Sequence, residues 1–205
     1  MMKIIGLTGQ SGAGKGAVCS AFAKHHIPAV DTDCVYHEIL KERGACTDEL
    51  VERFGTAILD ANGLVDRRAL GAIVFGSEDK EQSLSALNRI THKYVMEKTM
   101  SLVREWEKKG AKAVIIDAPQ LFEAKADRVC DVVIGVLADR ELRIGRIIAR
   151  DGITREQALL RIDAQHEDAY YRTHCDYILE NNGDLAELIE RASALCYELG
   201  LGEDR

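Results

Sequence analysis

A chain of 205 residues, of which 46% are hydrophobic, is expected to form one domain that buries a sizeable core without disulfides or metals. The net charge of −7 argues against a general nucleic-acid-binding surface. Any phosphate that this protein binds must therefore be captured by local geometry.

The apolar segments are short, and the cysteines are scattered. The longest apolar runs, Ala113–Ile116 and Val132–Leu137, are strand-sized, well below the roughly 20 residues of a membrane-spanning helix. Met1 is followed by a strand and a glycine loop rather than by a signal-peptide core. The 6 cysteines form no CxxC pair, which favours buried, reduced thiols. We therefore expect a cytoplasmic protein without a membrane partner.

Short β-like runs alternate with helical patterns along the chain, which is typical of parallel βαβ units. Such units build a doubly wound α/β sheet with helices on both faces, and ligands bind beyond the carboxyl ends of its strands. The predicted strands are Lys3–Leu7, Pro28–Val30, Ala113–Ile116, Val132–Val136 and Tyr177–Leu179.

Two segments stand apart from this alternation. Residues 34–111 have helical periodicity and predict an inserted helical domain that binds the acceptor. Residues 151–175 are charged, begin near the capping-box pair Thr154 and Gln157, and predict a mobile helical lid. The predicted nucleotide-binding core consists of the remaining residues, 1–33, 112–150 and 176–205.

A glycine-rich loop follows the first strand and opens a helix. The segment Gly9–Gly16 matches G-x-x-x-x-G-K in this strand–loop–helix context, which indicates a P-loop NTPase fold. Its backbone N–H groups turn inward around phosphate oxygens, and the helix N-terminus adds a favourable dipole. Lys15 is expected to reach the β and γ phosphates of ATP. The predicted phosphate contacts are Gly9, Ser11, Gly12, Ala13, Gly14, Lys15, Gly16 and Ala17.

One position departs from this motif. The residue after the P-loop lysine is normally Ser or Thr, whose hydroxyl binds Mg²⁺, but here it is Gly16. The sequence is compatible with three consequences of the missing hydroxyl. Water takes the coordination place, Thr8 or Ser11 supplies the oxygen, or catalysis is impaired.

Acidic residues end the second and third predicted strands. In an extended Asp31–Asp33 segment, alternation puts both carboxylates on one side, at the edge of the sheet that carries the P-loop. Phosphoryl transfer to an alcohol needs a carboxylate as base, and Mg²⁺ needs oxygen ligands, so we predict Asp33 as base and Asp31 as metal ligand. The alternative is a solvated turn in which an Asp caps the next helix. Asp117 either holds Mg²⁺ through water or caps the turn at Pro119.

An arginine stripe follows the fourth strand. Arg143, Arg146 and Arg150 are spaced i, i+3 and i+7 on one helical face. Because phosphates gather at this edge of the sheet, a phosphate clamp is favoured over a solvated basic face. Arg161 and Gln165, one helical turn apart in the predicted lid, extend this clamp.

Taken in order, these motifs resemble the dephospho-CoA kinase family over nearly the whole chain. The family's Gly-Leu-Thr-Gly opening and P-loop are present, as is its Asp-x-Asp element. The resemblance continues through Asp117–Glu123, the arginine helix, Arg161 with Gln165, and Asn181 with Gly183.

The resemblance implies ATP- and Mg²⁺-dependent phosphorylation of the ribose 3′-hydroxyl of dephospho-CoA, the last step of CoA biosynthesis. Asp33 would take the hydroxyl proton, and Lys15 and Arg146 would stabilise the transferring phosphoryl group. Asn181 and Gly183 match the family's adenine-side loop. Acceptor contacts are implied for His37, His92, Phe122, Glu123, Arg161 and Gln165.

Other readings stay open. The family usually has Ser, Pro and Leu where this chain has Gly16, Lys93 and Gln120. Shikimate and gluconate kinases also pair a P-loop with Asp-x-Asp, although shikimate kinases carry a Gly-rich turn after the third strand. A nucleotide-binding regulatory module without turnover is the alternative from another class, and Gly16 is its best support. We expect a monomer or a weak homo-oligomer.

Overall fold

Five strands form one sheet within residues 1–202, the part of the chain that the computed structural model describes. Pairing is parallel between the first and third, first and fourth, and fourth and fifth strands. All the sequence-predicted strands are confirmed, and each extends slightly past its predicted end because ladder pairing uses the backbone rather than apolar side chains. The strands are β1 (Lys3–Gly9), β2 (Ala29–Asp31), β3 (Ala113–Asp117), β4 (Val132–Leu137) and β5 (Tyr177–Glu180), in the spatial order β2-β3-β1-β4-β5.

Helices connect these strands. The chain divides into two compact units. The first consists of residues 1–30 and the chain from Val103 onward, and the second consists of Asp31–Leu102. The sequence-based division into core, insertion and lid remains a prediction about function. In chain order the helices are α1 (Lys15–Ala23), α2 (Thr32–Leu40), α3 (Ala45–Phe54), α4 (Arg67–Gly76), α5 (Lys80–Lys108), α6 (Arg140–Asp151), α7 (Arg155–Asp163), α8 (Asp168–His174) and α9 (Leu185–Glu198).

The core of the first unit lies between the sheet and helices α1 and α9. Leu7 and Ile134 from the sheet, Phe22 from α1 and Leu188 from α9 are all buried in it. Because β1 lies between β3 and β4, the loop after β1 occupies the point where the chain's connections diverge to the two sides of the sheet. In doubly wound sheets this is where ligands bind.

The second unit has a core of its own, built from α2, α3, α4 and the part of α5 before Val103. Leu40, Leu50 and Leu70 are buried in this core. On its surface, the Tyr94 hydroxyl donates to Glu49 Oε1 at 2.5 Å, which ties α5 to α3. The unit is therefore a helical body with its own apolar interior.

Local signals account for several boundaries in the first unit. The predicted capping box is confirmed, with the Thr154 hydroxyl accepting from the Gln157 N–H and the Gln157 side chain accepting from the Thr154 N–H. Gly152 ends α6 with φ 64°, in the left-handed region that favours glycine. The predicted lid segment forms two short helices, α7 and α8. No helix in residues 1–202 is long and apolar enough to cross a membrane.

No cysteine within residues 1–202 takes part in a disulfide bond. Cys46 and Cys196 are buried, and burial raises the pKa of the Cys46 thiol to about 11. The expectation that every cysteine is buried is wrong for Cys34, which lies exposed on the first turns of α2. Hydrophobic character alone predicted burial, whereas a position beside the polar N-terminus of a helix left this side chain in solvent.

Candidate phosphate-binding and catalytic site

The P-loop connects the carboxyl end of β1 to the first turn of α1. Gly12 and Gly14 have φ angles of 79° and 109°, which L side chains rarely adopt. A Cβ at Gly12 would lie 2.8 Å from the Arg143 carbonyl oxygen, and one at Gly14 would lie 2.6 Å from Asn181 Nδ2. These glycines therefore allow both the turn and the close approach of α6 and the β5–α9 loop. In the first turn of α1 the Ala17 N–H donates to the Gly14 carbonyl oxygen at 3.0 Å. The amides before it lie at a helix N-terminus, which favours phosphate.

Lys15 lies beside the acid that ends β3. Its Nζ is 3.5 Å from Asp117 Oδ1, and both side chains are largely buried, with 18% and 17% of their surface exposed. The thiol of Cys19, one turn along α1, donates to Asp117 Oδ2 at 3.6 Å. The structure thus brings the P-loop lysine together with the acid that ends β3. Both interpretations of Asp117, as a magnesium ligand and as a cap of the turn at Pro119, stay predictions.

Arg146 and Asn181 brace the middle of the P-loop. Arg146 Nη1 donates to the carbonyl oxygens of Gly12 at 3.4 Å and Asn181 at 3.0 Å. The Asn181 side chain is 4% exposed, and its Nδ2 donates to the Ala13 carbonyl oxygen at 2.7 Å. These two residues, predicted to contact nucleotide, lie against the loop that would hold it. Gly183 lies two residues after Asn181 in the β5–α9 loop, and a Cβ built on it would lie 2.3 Å from Glu187 Oε2.

The arginine stripe divides between two environments. Arg143 is 4% exposed, and its Nε donates to the Ser11 carbonyl oxygen at 3.1 Å. Burial lowers the pKa of its guanidinium, while the charge of Asp168 opposes that shift. Arg150, by contrast, is exposed and pairs with Asp151 at 2.7 Å. Arg143 and Arg146 thus hold the loop backbone, whereas Arg150, the third residue of the predicted clamp, pairs with Asp151.

Arg161 and Gln165 make different contacts, although the sequence predicted them to act together. Arg161 is half exposed and forms an ion pair with Asp151. Gln165 follows the end of α7, and its Oε1 accepts from the Ser11 N–H at 2.9 Å. The helix ends before Gln165, so the one-turn spacing assumed from the sequence is wrong.

Phe122 and Glu123, predicted to contact the acceptor, border an aromatic cluster on α8. Tyr170 stacks on His166 with ring centroids 3.7 Å apart, and the Phe122 ring meets Tyr170 edge-on at 5.5 Å. Glu123 Oε1 lies 3.1 Å from His166 Nε2. His174 stacks on the other face of Tyr170 at 4.1 Å. The segment that follows β3 and the α8 region therefore form one aromatic surface in the first unit.

The remaining predicted residues belong to the second unit. Asp33 lies in the first turn of α2 and His37 in its last, and His92 lies on α5. The expectation that Asp31 and Asp33 share one side of an extended segment is wrong, because α2 begins at Thr32. Asp31 Oδ1 instead accepts from the N–H groups of Asp33 and Cys34, which makes it the N-cap of α2.

The described residues offer a metal ion few protein ligands, so most of its ligands would be oxygens of the substrate or of water. Within residues 1–202, no group of three or more His, Cys, Asp or Glu side chains is arranged to hold a metal. Mg²⁺ usually binds one or two carboxylates together with substrate phosphates and water. The carboxylate of Asp117, next to Lys15, is of the required chemical type and fits that mode of binding.

Three residues near the loop were not assigned a role from the sequence: Gln10, Cys19 and Asp168. Cys19 is four residues after Lys15, so helical spacing places the two on one face and offered a signal. Gln10 and Asp168 are 158 residues apart in sequence, and no local pattern indicates that they meet.

A phosphate loop at the switch point of a parallel sheet, with its lysine beside an acid that ends a neighbouring strand, defines a P-loop phosphotransferase of the kinase type. The family model for dephospho-CoA kinase matches residues 3–187. This chain therefore belongs to the dephospho-CoA kinase family.

Individual relatives agree with that membership. The dephospho-CoA kinase of Arabidopsis thaliana is 34% identical over 199 residues, covering 97% of this chain and 84% of the relative. The enzyme of the same name from Fusobacterium nucleatum is 36% identical, covering 94% of this chain and 96% of the relative. A crystal structure of a Thermus thermophilus protein superposes with a TM-score of 0.78 at 31% identity, covering 97% of this chain and 98% of that one. The family uses ATP, so this chain is an ATP-dependent kinase.

Proposed function

We propose that this protein transfers the γ-phosphoryl group of ATP to the ribose 3′-hydroxyl of dephospho-CoA, giving CoA and ADP. One observation carries the proposal. The P-loop, with Lys15 beside Asp117 and with Arg146 and Asn181 against its backbone, occurs in a chain that matches the dephospho-CoA kinase family over residues 3–187.

The proposed chemistry assigns each reacting group a partner. The 3′-oxygen forms a bond to the γ-phosphorus, the bond from that phosphorus to the β–γ bridging oxygen breaks, and ADP leaves. Asp33 accepts the proton of the 3′-hydroxyl as general base. Lys15 and Arg146 donate to the phosphoryl oxygens and stabilise their charge in the transition state.

Mg²⁺ is proposed as the metal cofactor. When bound with ATP, it supplies neutralisation of the phosphate charge. Asp117 and Asp31 are the carboxylates proposed to hold it, directly or through water. Asp31 also caps α2 through Oδ1.

Acceptor contacts are also part of the proposal. Phe122 and Glu123 are supported by their place on the aromatic surface, where a planar base or an apolar pantetheine arm can pack. His37, His92 and Arg161 rest on the family resemblance alone. Gln165 contacts the P-loop instead, which indicates another role.

We further propose a cytoplasmic location and a monomer or weak homo-oligomer. The location is supported by the cysteines of residues 1–202, none of which is in a disulfide, and by the need for ATP as substrate. Light scattering over a range of protein concentrations tests the assembly state, because a weak oligomer dissociates on dilution.

The function is tested by incubating the protein with ATP, MgCl₂ and dephospho-CoA and coupling ADP release to NADH oxidation. Turnover with dephospho-CoA, at least a hundredfold above that with shikimate or gluconate, is the expected result. Turnover only with one of the other acceptors would assign the protein to a different kinase specificity. ADP binding without turnover on any acceptor would favour the regulatory module.

A further inference from the structure

The segment between α7 and α8 reaches back to the P-loop. We define the connector as residues 164–168, which follow α7 and include the first residue of α8. Two of its side chains, Gln165 and Asp168, form hydrogen bonds to the P-loop. These contacts join parts of the chain more than 150 residues apart in sequence, with separations of 154 and 158 residues.

Gln165 closes a three-membered network with the loop and α6. Its Oε1 accepts from the Ser11 N–H at 2.9 Å and from Arg143 Nη2 at 3.2 Å. Arg143 Nε also donates to the Ser11 carbonyl oxygen at 3.1 Å. Both the N–H and the carbonyl of Ser11 are therefore bound, so this peptide segment has little freedom to rotate. An amide oxygen has two lone pairs for these donors and adds no negative charge beside a phosphate site.

Asp168 fixes the preceding residue of the loop. Gln10 is 3% exposed, and its Nε2 donates to Asp168 Oδ1 at 2.7 Å. Because an ionised carboxylate only accepts, this contact determines which way the Gln10 amide faces. Gln10 Oε1 is buried without a hydrogen-bond partner among the described residues, so the amide has no competing polar contact there.

These contacts concern the part of the loop before its lysine. Gly12, the next residue, packs against the backbone of Arg143 and has no room for a Cβ. The arc from Gln10 to Gly12 is thus held by α6 on one side and by the connector on the other. A phosphate loop already held in its binding shape loses less entropy when nucleotide binds.

We propose that Gln165, Arg143 and Asp168 are positioning residues that hold the Gln10–Gly12 arc in the shape that binds nucleotide. The inference rests on the proposed nucleotide site and gives Gln165 a role on the ATP side of the reaction. It differs from the sequence-based expectation that Gln165 contacts the acceptor. The two roles predict opposite kinetic consequences.

The first test compares Gln165→Met with the wild type, because methionine has similar volume and no strong acceptor oxygen. ADP affinity is measured by isothermal titration calorimetry, and the KM for each substrate by the coupled assay. We expect ADP to bind about tenfold more weakly, as for loss of a hydrogen bond in a charged network, with the KM for dephospho-CoA within about twofold of wild type. Gln82→Ala, at an exposed position of α5, serves as the control for a lost glutamine amide.

The second readout is hydrogen–deuterium exchange of the peptide that contains Ser11, recorded without nucleotide. Exchange is expected to be faster in Gln165→Met and unchanged in Gln82→Ala. Asp168→Ala is expected to weaken ADP binding as well. Asp168→Asn is expected to restore most of that affinity, since its amide oxygen can still accept from Gln10.

The possible results bear on the positioning role of Gln165 and on the proposed function as follows. A raised KM for dephospho-CoA with unchanged ADP affinity and unchanged exchange would overturn the positioning role and return Gln165 to the acceptor site. Equal ADP affinity in all variants would also overturn it. If the wild type itself fails to bind ADP, the proposed function fails, while the exchange comparison still decides whether the connector orders the loop.

Discussion

The sharpest prediction concerns the hydroxyl that Gly16 lacks, and the substitution Gly16→Ser tests it. Gly16 is exposed, lies in the first turn of α1, and does not have the positive φ that restricts a position to glycine. A Cβ built on it meets no atom within 4 Å. The serine side chain therefore fits without moving any neighbour.

Two magnitudes follow for this substitution. Replacing glycine in a helix with a residue that has a Cβ gains about 0.5 kcal/mol at such a terminal position. For a chain of this size that raises Tm by about 1–2 °C. A hydroxyl that replaces a water as magnesium ligand contributes on the order of 1 kcal/mol, or a roughly fivefold tighter apparent Mg²⁺ affinity.

The assay is a magnesium titration of turnover at fixed ATP, together with thermal unfolding. Gly16→Ala is the matched control, since it adds the same Cβ and no hydroxyl. Both variants should melt slightly higher than wild type, and only the serine should shift the magnesium titration. Equal titrations for wild type, serine and alanine would show that another ligand already fills the place, and the reasoning from the missing hydroxyl would be refuted.

Three other substitutions test the site. Asp33→Asn should lower kcat by at least about a hundredfold while leaving ADP affinity intact, and near-normal kcat would remove this residue as the base. Gly12→Ala should destabilise the protein by about 1–2 kcal/mol more than Gly55→Ala in thermal unfolding. Both glycines have positive φ but only the first has a backbone oxygen in the way of a Cβ, so equal losses would contradict the packing account. Asn181→Ala leaves a buried loop carbonyl without its donor and should lower Tm by about 4–8 °C, along with ADP affinity; an unchanged Tm would count against that hydrogen bond.

The sheet and the P-loop were predictable because their signals are local. An apolar run marks each strand, and the glycine spacing with Lys15 marks the phosphate loop, whatever the rest of the chain does. The family resemblance was predictable for the same reason, since each motif occupies a short segment and their order specifies the family.

Asp31 shows where local patterns compete. The same acid fits the end of a strand and the N-cap of a helix, and the sequence-based geometry followed the first pattern. In the structure the capping bonds to Asp33 and Cys34 prevail, because the first N–H groups of α2 need acceptors. Side-chain alternation over only three residues cannot distinguish an extended Asp-x-Asp segment from an Asp that caps a helix beginning at the next residue.

Individual hydrogen bonds between distant segments could not be predicted. Gln165 was assigned to a helix with Arg161, yet α7 ends before it and its amide reaches Ser11. The Gln10–Asp168 pair depends on how α8 packs near the loop, which no spacing in the sequence encodes. The roles assigned to acceptor-side residues such as His92 likewise depend on a bound substrate.

The central claim is transfer of phosphate to the 3′-hydroxyl of dephospho-CoA, and ³¹P NMR of the reaction product tests it most directly. With ATP and MgCl₂ present, the spectrum should gain a phosphomonoester resonance that coincides with that of added authentic CoA, in a one-to-one ratio with the ADP formed. A phosphomonoester that stays distinct from authentic CoA, or ADP formed without any new phosphomonoester, would contradict the account.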